Sequence, residues 1–359
     1  MKKVLLATTM LVAGASIAAA EVTVSGDARM GIISNGSDNG ATPAIDESAV
    51  AFTSRARVTF TLSGESDSGL SFGASFRADN SAAAATGTAG SVFISGAFGN
   101  LSAGDVDGAA QSATGHVAGV GLTGLGDLNE STFLGAGGLN NVDQAFAGAG
   151  QTANPLETND PTFLYQYSFG DFTVYASATN PADITTGGAA AVNALSSNAQ
   201  AYAIGGKYTF GDYAVGLGYE KLSGFIAPTA AGAPLLTAAK PANNTNAKHV
   251  VVTLEGTVAG ITMKGLYGKA SGTYAGAQIV GGGDNGKQYA ASASYTTGAL
   301  TGSIFYTDDS ALGGTTAYGI GAAYDLGGGA VVQGGYAVDH DAFAGAGSAA
   351  FDLGIALTF

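Results

Sequence analysis

Apolar and polar residues alternate along most of this chain. In VTVSGDARMGI (22–32), Val22, Val24, Ala28, Met30 and Ile32 share one side of an extended backbone, while Thr23, Ser25, Asp27 and Arg29 take the other. In RARVTFTL, Ala56, Val58, Phe60 and Leu62 oppose Arg55, Arg57, Thr59 and Thr61; in LSFGASFRA, Leu70, Phe72, Ala74 and Phe76 oppose Ser71, Gly73, Ser75 and Arg77. A period of two residues with one apolar and one polar face is the mark of a β-strand whose two sides meet different surroundings. The last nine residues, FDLGIALTF, keep the pattern up to Phe359.

The same reading predicts sixteen strands, at 22–33, 50–63, 69–79, 90–98, 100–105, 161–169, 171–180, 199–210, 212–224, 247–258, 260–271, 287–297, 299–308, 315–326, 329–339 and 348–359. Tight connections, several built on Phe-Gly-polar steps at 98, 169 and 210, alternate with long ones at 34–49, 80–89, 106–160, 181–198, 225–246, 272–286, 309–314 and 340–347. Glycine accepts the positive φ of a two-residue hairpin. Short turns at one end and long loops at the other predict an up-and-down antiparallel meander. An even number of strands returns both termini to the short-turn end.

Two architectures fit such a meander: a soluble sandwich with its apolar faces inside, and a closed barrel with them outside. Charges decide between them. Arg55, Arg57 and Arg77 crowd the polar faces, whereas Tyr165, Tyr167, Phe169, Tyr208, Phe210 and Tyr213 gather at strand ends on the apolar side. Aromatic girdles of that kind mark the two interfaces of a membrane barrel, and closure removes the unpaired edges that lipid does not tolerate. The expected fold is all-β, a 16-stranded antiparallel transmembrane β-barrel over residues 21–359.

Composition agrees. Lys2 and Lys3, the apolar run Val4–Ile17 and Ala18-Ala19-Ala20 read as a signal peptide over residues 1–20. Without Lys2 and Lys3 the chain has 11 basic and 27 acidic residues, a formal charge of −16, which argues against nucleic acid as a partner. There is no Cys to form a disulfide or a thiolate nucleophile, and Gly, at 58 residues, is about twice its usual share of roughly 7%. Beyond residue 20 no apolar run approaches the roughly 18 residues of a spanning helix.

SGDARMG (25–31), SRARVTFTLSGESDSGLSFGASF (54–76), YTFGDYAVGLGYEK (208–221) and YGIGAAYDLGGGA (318–330) closely resemble trimeric general-diffusion porins of the Rhodobacter type. The likeness runs through the strands and tight turns of nearly the whole chain. It implies a homotrimer in the outer membrane of a Gram-negative bacterium and a long third loop folded into the lumen. It also makes the terminal aromatic part of an assembly signal, on a closing strand paired with 22–33.

A barrel of this size keeps an aqueous channel, and a 55-residue connection needs a reason. Folded inward, 106–160 narrows the pore. The loop region's acids include Asp105, Asp107, Asp127, Glu130 and Asp143, with Glu157 and Asp160 near the next strand, and no Lys or Arg accompanies them. Arg29, Arg55, Arg57, Arg77, Lys207 and Lys264 carry the opposite sign on the lumen face. Acid facing base across water creates a transverse field and sets ion preference. The excess of acids predicts mild cation selectivity, and small hydrophilic solutes and ions are the expected cargo. The alternative is a substrate-selective channel for a sugar or organic anion, which would call for an aromatic slide or a dense basic pocket.

No cofactor is required by this reading. The resemblance adds calcium, for which Asp339-His340-Asp341, Asp308-Asp309 and the loop acids offer oxygen without EF-hand spacing. Divalent ions bridging acidic outer loops to lipopolysaccharide phosphates follow the same chemistry. GVGLTG (119–124) matches a dinucleotide fingerprint but lacks its strand–helix setting, and GGGDNGKQ (281–288) has Gln288 where a phosphate loop needs Ser or Thr. His116, His249 and His340 are scattered, with no catalytic spacing; His249 has lumen parity and reads as a pore-lining residue, and His340 reads as a loop residue. The expectation is a channel, not an enzyme.

Overall fold

The computed structural model describes residues 21–35, 50–79, 90–104, 106–125, 127–134, 162–179, 200–225, 244–274, 277–278, 286–309, 316–340 and 348–359. The expected signal peptide, Asp105, Asp143, Glu157, Asp160 and Asp341 lie outside them. All strands belong to one sheet in which each pairs antiparallel with its neighbours. They are β1 (Glu21–Asn35), β2 (Ala51–Glu65), β3 (Ser71–Asp79), β4 (Gly90–Gly96), β5 (Gly99–Gly104), β6 (Thr162–Phe169), β7 (Phe172–Thr179), β8 (Gln200–Phe210) and β9 (Tyr213–Phe225). The chain continues with β10 (Asn244–Val258), β11 (Ile261–Tyr274), β12 (Ala277–Gln278), β13 (Lys287–Thr297), β14 (Leu300–Asp308), β15 (Thr316–Gly327), β16 (Ala330–Asp339) and β17 (Ser348–Thr358).

β1 pairs with both β2 and β17, so the sheet closes. β12, two residues long, pairs only with the far end of β11. The wall therefore has sixteen strands, and β12 is a lip inside the connection expected at 272–286. Expected strand limits coincide with the observed ones or miss them by at most three residues, since side-chain alternation does not say where ladder hydrogen bonds stop. Gly26 and Phe359 exchange backbone hydrogen bonds at 3.4 and 2.9 Å, which ties the terminal residue into the seam.

The apolar face is the exposed one. Leu217, Leu254, Ile304, Ile320 and Leu353 each show more than half their surface, and Val58 and Leu62 are exposed beside Phe60, which stacks on Phe76 at 5.0 Å. A sandwich would hide these side chains; lipid explains them. At the short-turn end Tyr167, Phe169, Phe172, Tyr208, Phe210 and Tyr213 stack in series, with centroids 4.3–6.2 Å apart. That run is one girdle.

A compact core exists, on the inner side. Val251, Leu266 and Phe305 point inward, as do the small side chains Ala203, Ala290, Ala317 and Ala337, and all pack with Val117, Val120, Leu125 and Phe133 of the connection after β5. The inner face is thus not uniformly polar. Where the connection covers the wall, apolar residues occupy lumen parity as well.

Candidate pore constriction

The connection after β5 opens with a short helix, α1 (Ala109–Thr114), that the sequence reading did not foresee. Six residues do not hold a helix on propensity alone; the wall holds this one. Ala109, Ala110 and Ala113 rest on Gly205, Gly216 and Gly218 of β8 and β9. A Cβ at Gly218 would stand 2.7 Å from Ala110 Cβ and 2.8 Å from its Cα, so only glycine lets the two backbones come this close. Ala109 N–H donates to Ser177 Oγ of β7 at 2.8 Å.

From there the segment crosses the lumen wall. Ala118 N–H donates to Ser292 Oγ of β13 at 3.1 Å, and Leu128 carbonyl accepts from Thr307 Oγ1 of β14 at 2.8 Å. Thr123 donates twice to Asp352 Oδ2 of β17, from N at 2.6 Å and Oγ1 at 2.8 Å, and Asp352 Oδ1 accepts Gly335 N–H at 3.0 Å. Leu122 carbonyl accepts from Arg29 Nη1 of β1 at 3.4 Å. The GVGLTG stretch is therefore a docking strip against β15–β17 rather than a nucleotide loop.

The basic side chains fall into two patches. On β1 and β2, Arg29 stands opposite Arg55 and Asp27 opposite Arg57 in register. Arg55 Nη2 pairs with Asp27 Oδ2 at 2.7 Å, and Arg57 Nη1 lies 4.0 Å from Asp27 Oδ1. Arg77 stands opposite Thr59 on β3. The charges of Asp352 and Asp127 both reach Arg29. On β8, β10 and β11, Lys207 Nζ and Lys264 Nζ share Glu255, at 2.6 Å from Oε1 and 3.4 Å from Oε2.

Three of the expected acids come together. Glu130 is pushed above its ordinary value, first by partial withdrawal from water and then by the charges of Asp127 and Asp107, so the three form one cluster. Asp107 Oδ1 also accepts from Gln111 Nε2 at 3.1 Å. Asp127 holds a left-handed backbone (φ 56°) at the turn that follows Gly124.

The sequence reading missed Asp27, Glu255 and Asp352, three carboxylates on the same inward parity as the bases. Alternation had already put Asp27 on the polar face beside Arg29, but none of the three was counted with the pore residues. His249 needs correction. It is fully buried, with Nδ1 2.8 Å from Glu220 Oε1 and Nε2 3.2 Å from Gln288 Oε1, and it does not touch pore water. His340 packs on Tyr318 with centroids 5.5 Å apart. Asp309 is buried and accepts Thr132 N–H at 2.6 Å, while Asp308 Oδ1 accepts from Thr316 Oγ1 at 3.4 Å. Among the described residues no group of three or more carboxylate or imidazole side chains is placed to hold a metal.

Comparison with known proteins fits this geometry. Residues 7–342 match the model of the Gram-negative porin family. A porin of Rhodobacter capsulatus is 36% identical over 325 residues, spanning 89% of this chain and 95% of the relative. A solved porin structure superposes with a TM-score of 0.66 at 30% identity, covering 94% of this chain and all of the other. A mutant of Rh. blastica porin superposes at 0.58 over the same shares, and its 19% identity speaks to the fold alone. With a closed lipid-facing barrel and a charged, partly occluded lumen in view, the chain belongs to the Gram-negative porin family, as an outer-membrane diffusion channel.

Proposed function

We propose that the pore narrows between the basic patch Arg29, Arg55, Arg57 and Arg77 and the acid cluster Asp107, Asp127 and Glu130, with Asp105 and Asp143 belonging to the acidic side by sequence. The observation that carries this reading is the path of residues 106–125 and 127–134, bonded to inward side chains from β7 round to β1. Water between opposite charges is ordered by their field. Polar solutes reorient and pass, while apolar ones must displace that water. Selection is by size and charge, without a binding ladder, and the acidic excess gives mild cation preference. Lys207 and Lys264 flank the neck, with much of their charge answered by Glu255.

We further propose that three copies assemble, with lipid and lipopolysaccharide around the outer face. The support is the family resemblance and the continuous exposed apolar surface. Liposome swelling with sugars of rising mass tests the channel reading. A smooth decline of rate with mass is expected. Uptake of one sugar far above its size class would shift the conclusion to a substrate-selective channel, and absence of swelling would refute conduction. Bilayer reversal potentials under a KCl gradient test selectivity, and clear anion preference would overturn that part.

A further inference from the structure

The last described stretch of the inner segment, residues 131–134, is fastened differently from the rest. Ser131 N–H donates to His116 Nδ1 at 2.9 Å, and Thr132 N–H to Asp309 Oδ2 at 2.6 Å. Thr132 carbonyl accepts from Gln288 Nε2 at 3.0 Å, and Leu134 N–H donates to Glu220 Oε1 at 2.9 Å. Glu220 meets His249, and His249 meets Gln288, so one run of hydrogen bonds links β9, β10, β13 and the residue after β14. Gly268 of β11 makes the run possible. A Cβ there would stand 2.2 Å from Gln288 Oε1 and 2.7 Å from His249 Nε2. Phe133 packs edge-on against both His116 and His249, at 5.5 and 6.0 Å.

Glu220, His249, Gln288 and Asp309 are each at most 3% exposed. Burying ionisable groups is a poor way merely to fasten a loop, and α1 shows that alanine on glycine does so with no charge at all. Resting on the constriction read above, we propose that His116 and Asp309 are positioning residues: their protonation sets how firmly 131–134 is held, and so where Asp127 and Glu130 stand in the pore.

Two of the grips need opposite conditions. His116 must keep Nδ1 free of a proton to accept the Ser131 N–H. Asp309 has Oδ2 on Thr132 but Oδ1 buried without a partner, an arrangement that suits a protonated carboxyl better than an ionised one. Burial, then the Lys264 charge from β11, lowers His116 to about 4. Burial raises Asp309 to about 6, against hydrogen bonds from Gln288 and Thr132 and the charge of His249 from β10. Glu220 of β9 stands beyond His249, and Asp308 precedes Asp309 on β14. The contribution of His116 to docking is whole above its free value of 6.5 and is lost as pH falls through about 4. That of Asp309 is whole below 3.8 and is lost as pH rises through about 6. Over the same window the two changes oppose each other, and the docked segment is buffered against pH.

Hydrogen exchange at the Ser131, Thr132 and Leu134 amides, corrected for intrinsic rates and measured on the full chain in lipid from pH 4 to 7, tests this. Protection in the wild type should stay level within about three-fold, the residue of two nearly equal shifts. Asp309→Asn leaves His116 alone and should lose at least about ten-fold protection toward acid; His116→Asn leaves Asp309 alone and should lose as much toward neutral pH. Single-channel noise should follow the same two slopes. Either variant alone carries a sign, so failure of one to insert leaves the test intact. A steep wild-type profile, or variants that keep the level profile or share one slope, would overturn the proposal. An inserted wild type that does not conduct would count against the channel reading instead, because exchange does not depend on conduction.

Discussion

Two positive patches face the lumen, and they differ in how many bases each gathers around a carboxylate of the wall. On β1–β3 four arginines crowd together, with Asp27 2.7 Å from Arg55 and 4.0 Å from Arg57. On β8 and β11 two lysines share one glutamate, Glu255, which leaves a single formal positive charge between them. By formal count the arginine patch, four bases beside Asp27, carries more positive charge than the lysine patch. The lysine patch is close to a compensated triad, and its worth to the pore depends on Glu255 more than on either lysine. A count of bases on the lumen face treats the two patches alike; the partners separate them.

Removing charge from the arginine patch should have the largest effect. A unit charge about 8 Å from the ion path contributes about 0.5 kcal/mol in water, reduced to about 0.2 kcal/mol by physiological salt. The double change Arg55→Gln with Arg57→Gln should therefore raise the cation-to-anion permeability ratio about four-fold, since each lost charge acts on both ions with opposite sign. Reversal potentials under a salt gradient measure it directly. An unchanged ratio would place these arginines away from the narrow part of the pore.

Breaking the compensation should act the other way and more weakly. Glu255→Gln releases both lysines and should lower the same ratio about two-fold at physiological salt, and more at low ionic strength. Adding Lys207→Gln to it restores the patch's formal charge, and the ratio should return to the wild-type value. If the single change does nothing while the arginine change does, the lysine patch lies outside the path and the comparison fails.

The wall of this barrel was legible because most strands contrast their two faces. Leu254 beside Glu255, or Phe76 beside Arg77, says which side meets lipid without any knowledge of neighbours. Part of the site was legible in the same way. The Ala259–Gly260 turn joins Val258 to Ile261, and counting back from it sets Glu255 opposite Lys264. Lys207 reaches Glu255 over β9, past Ala214 and Gly216, and no pairing rule on a single hairpin supplies that contact. The resemblance put the long connection in the lumen, but which wall residues it covers was hidden. Val251, Leu266 and Phe305 hold lumen parity yet are dry, because Val117 and Phe133 arrive from a distant connection to cover them. His249 was misplaced for the same reason: alternation identifies a face but not what lies over it. α1 left no periodic signal, since its stability comes from the glycine floor beneath it.

The weakest expected effect isolates the acidic side of the neck. Glu130 titrates above an ordinary glutamate because it is partly withdrawn from water and stands near Asp127 and Asp107. As pH falls from neutral, it takes up a proton before an unperturbed glutamate would, and the pore loses one negative charge at that point. The cation-to-anion ratio should begin to decline there, by less than two-fold, since a single screened charge is involved. Glu130→Gln should start from the lower ratio at neutral pH and lack this early decline, while the steeper fall in stronger acid, carried by the remaining carboxylates, persists. Were the early decline to survive in Glu130→Gln, the group responsible would be another acid, and the cluster of Asp107, Asp127 and Glu130 would not be what faces the arginines across the water.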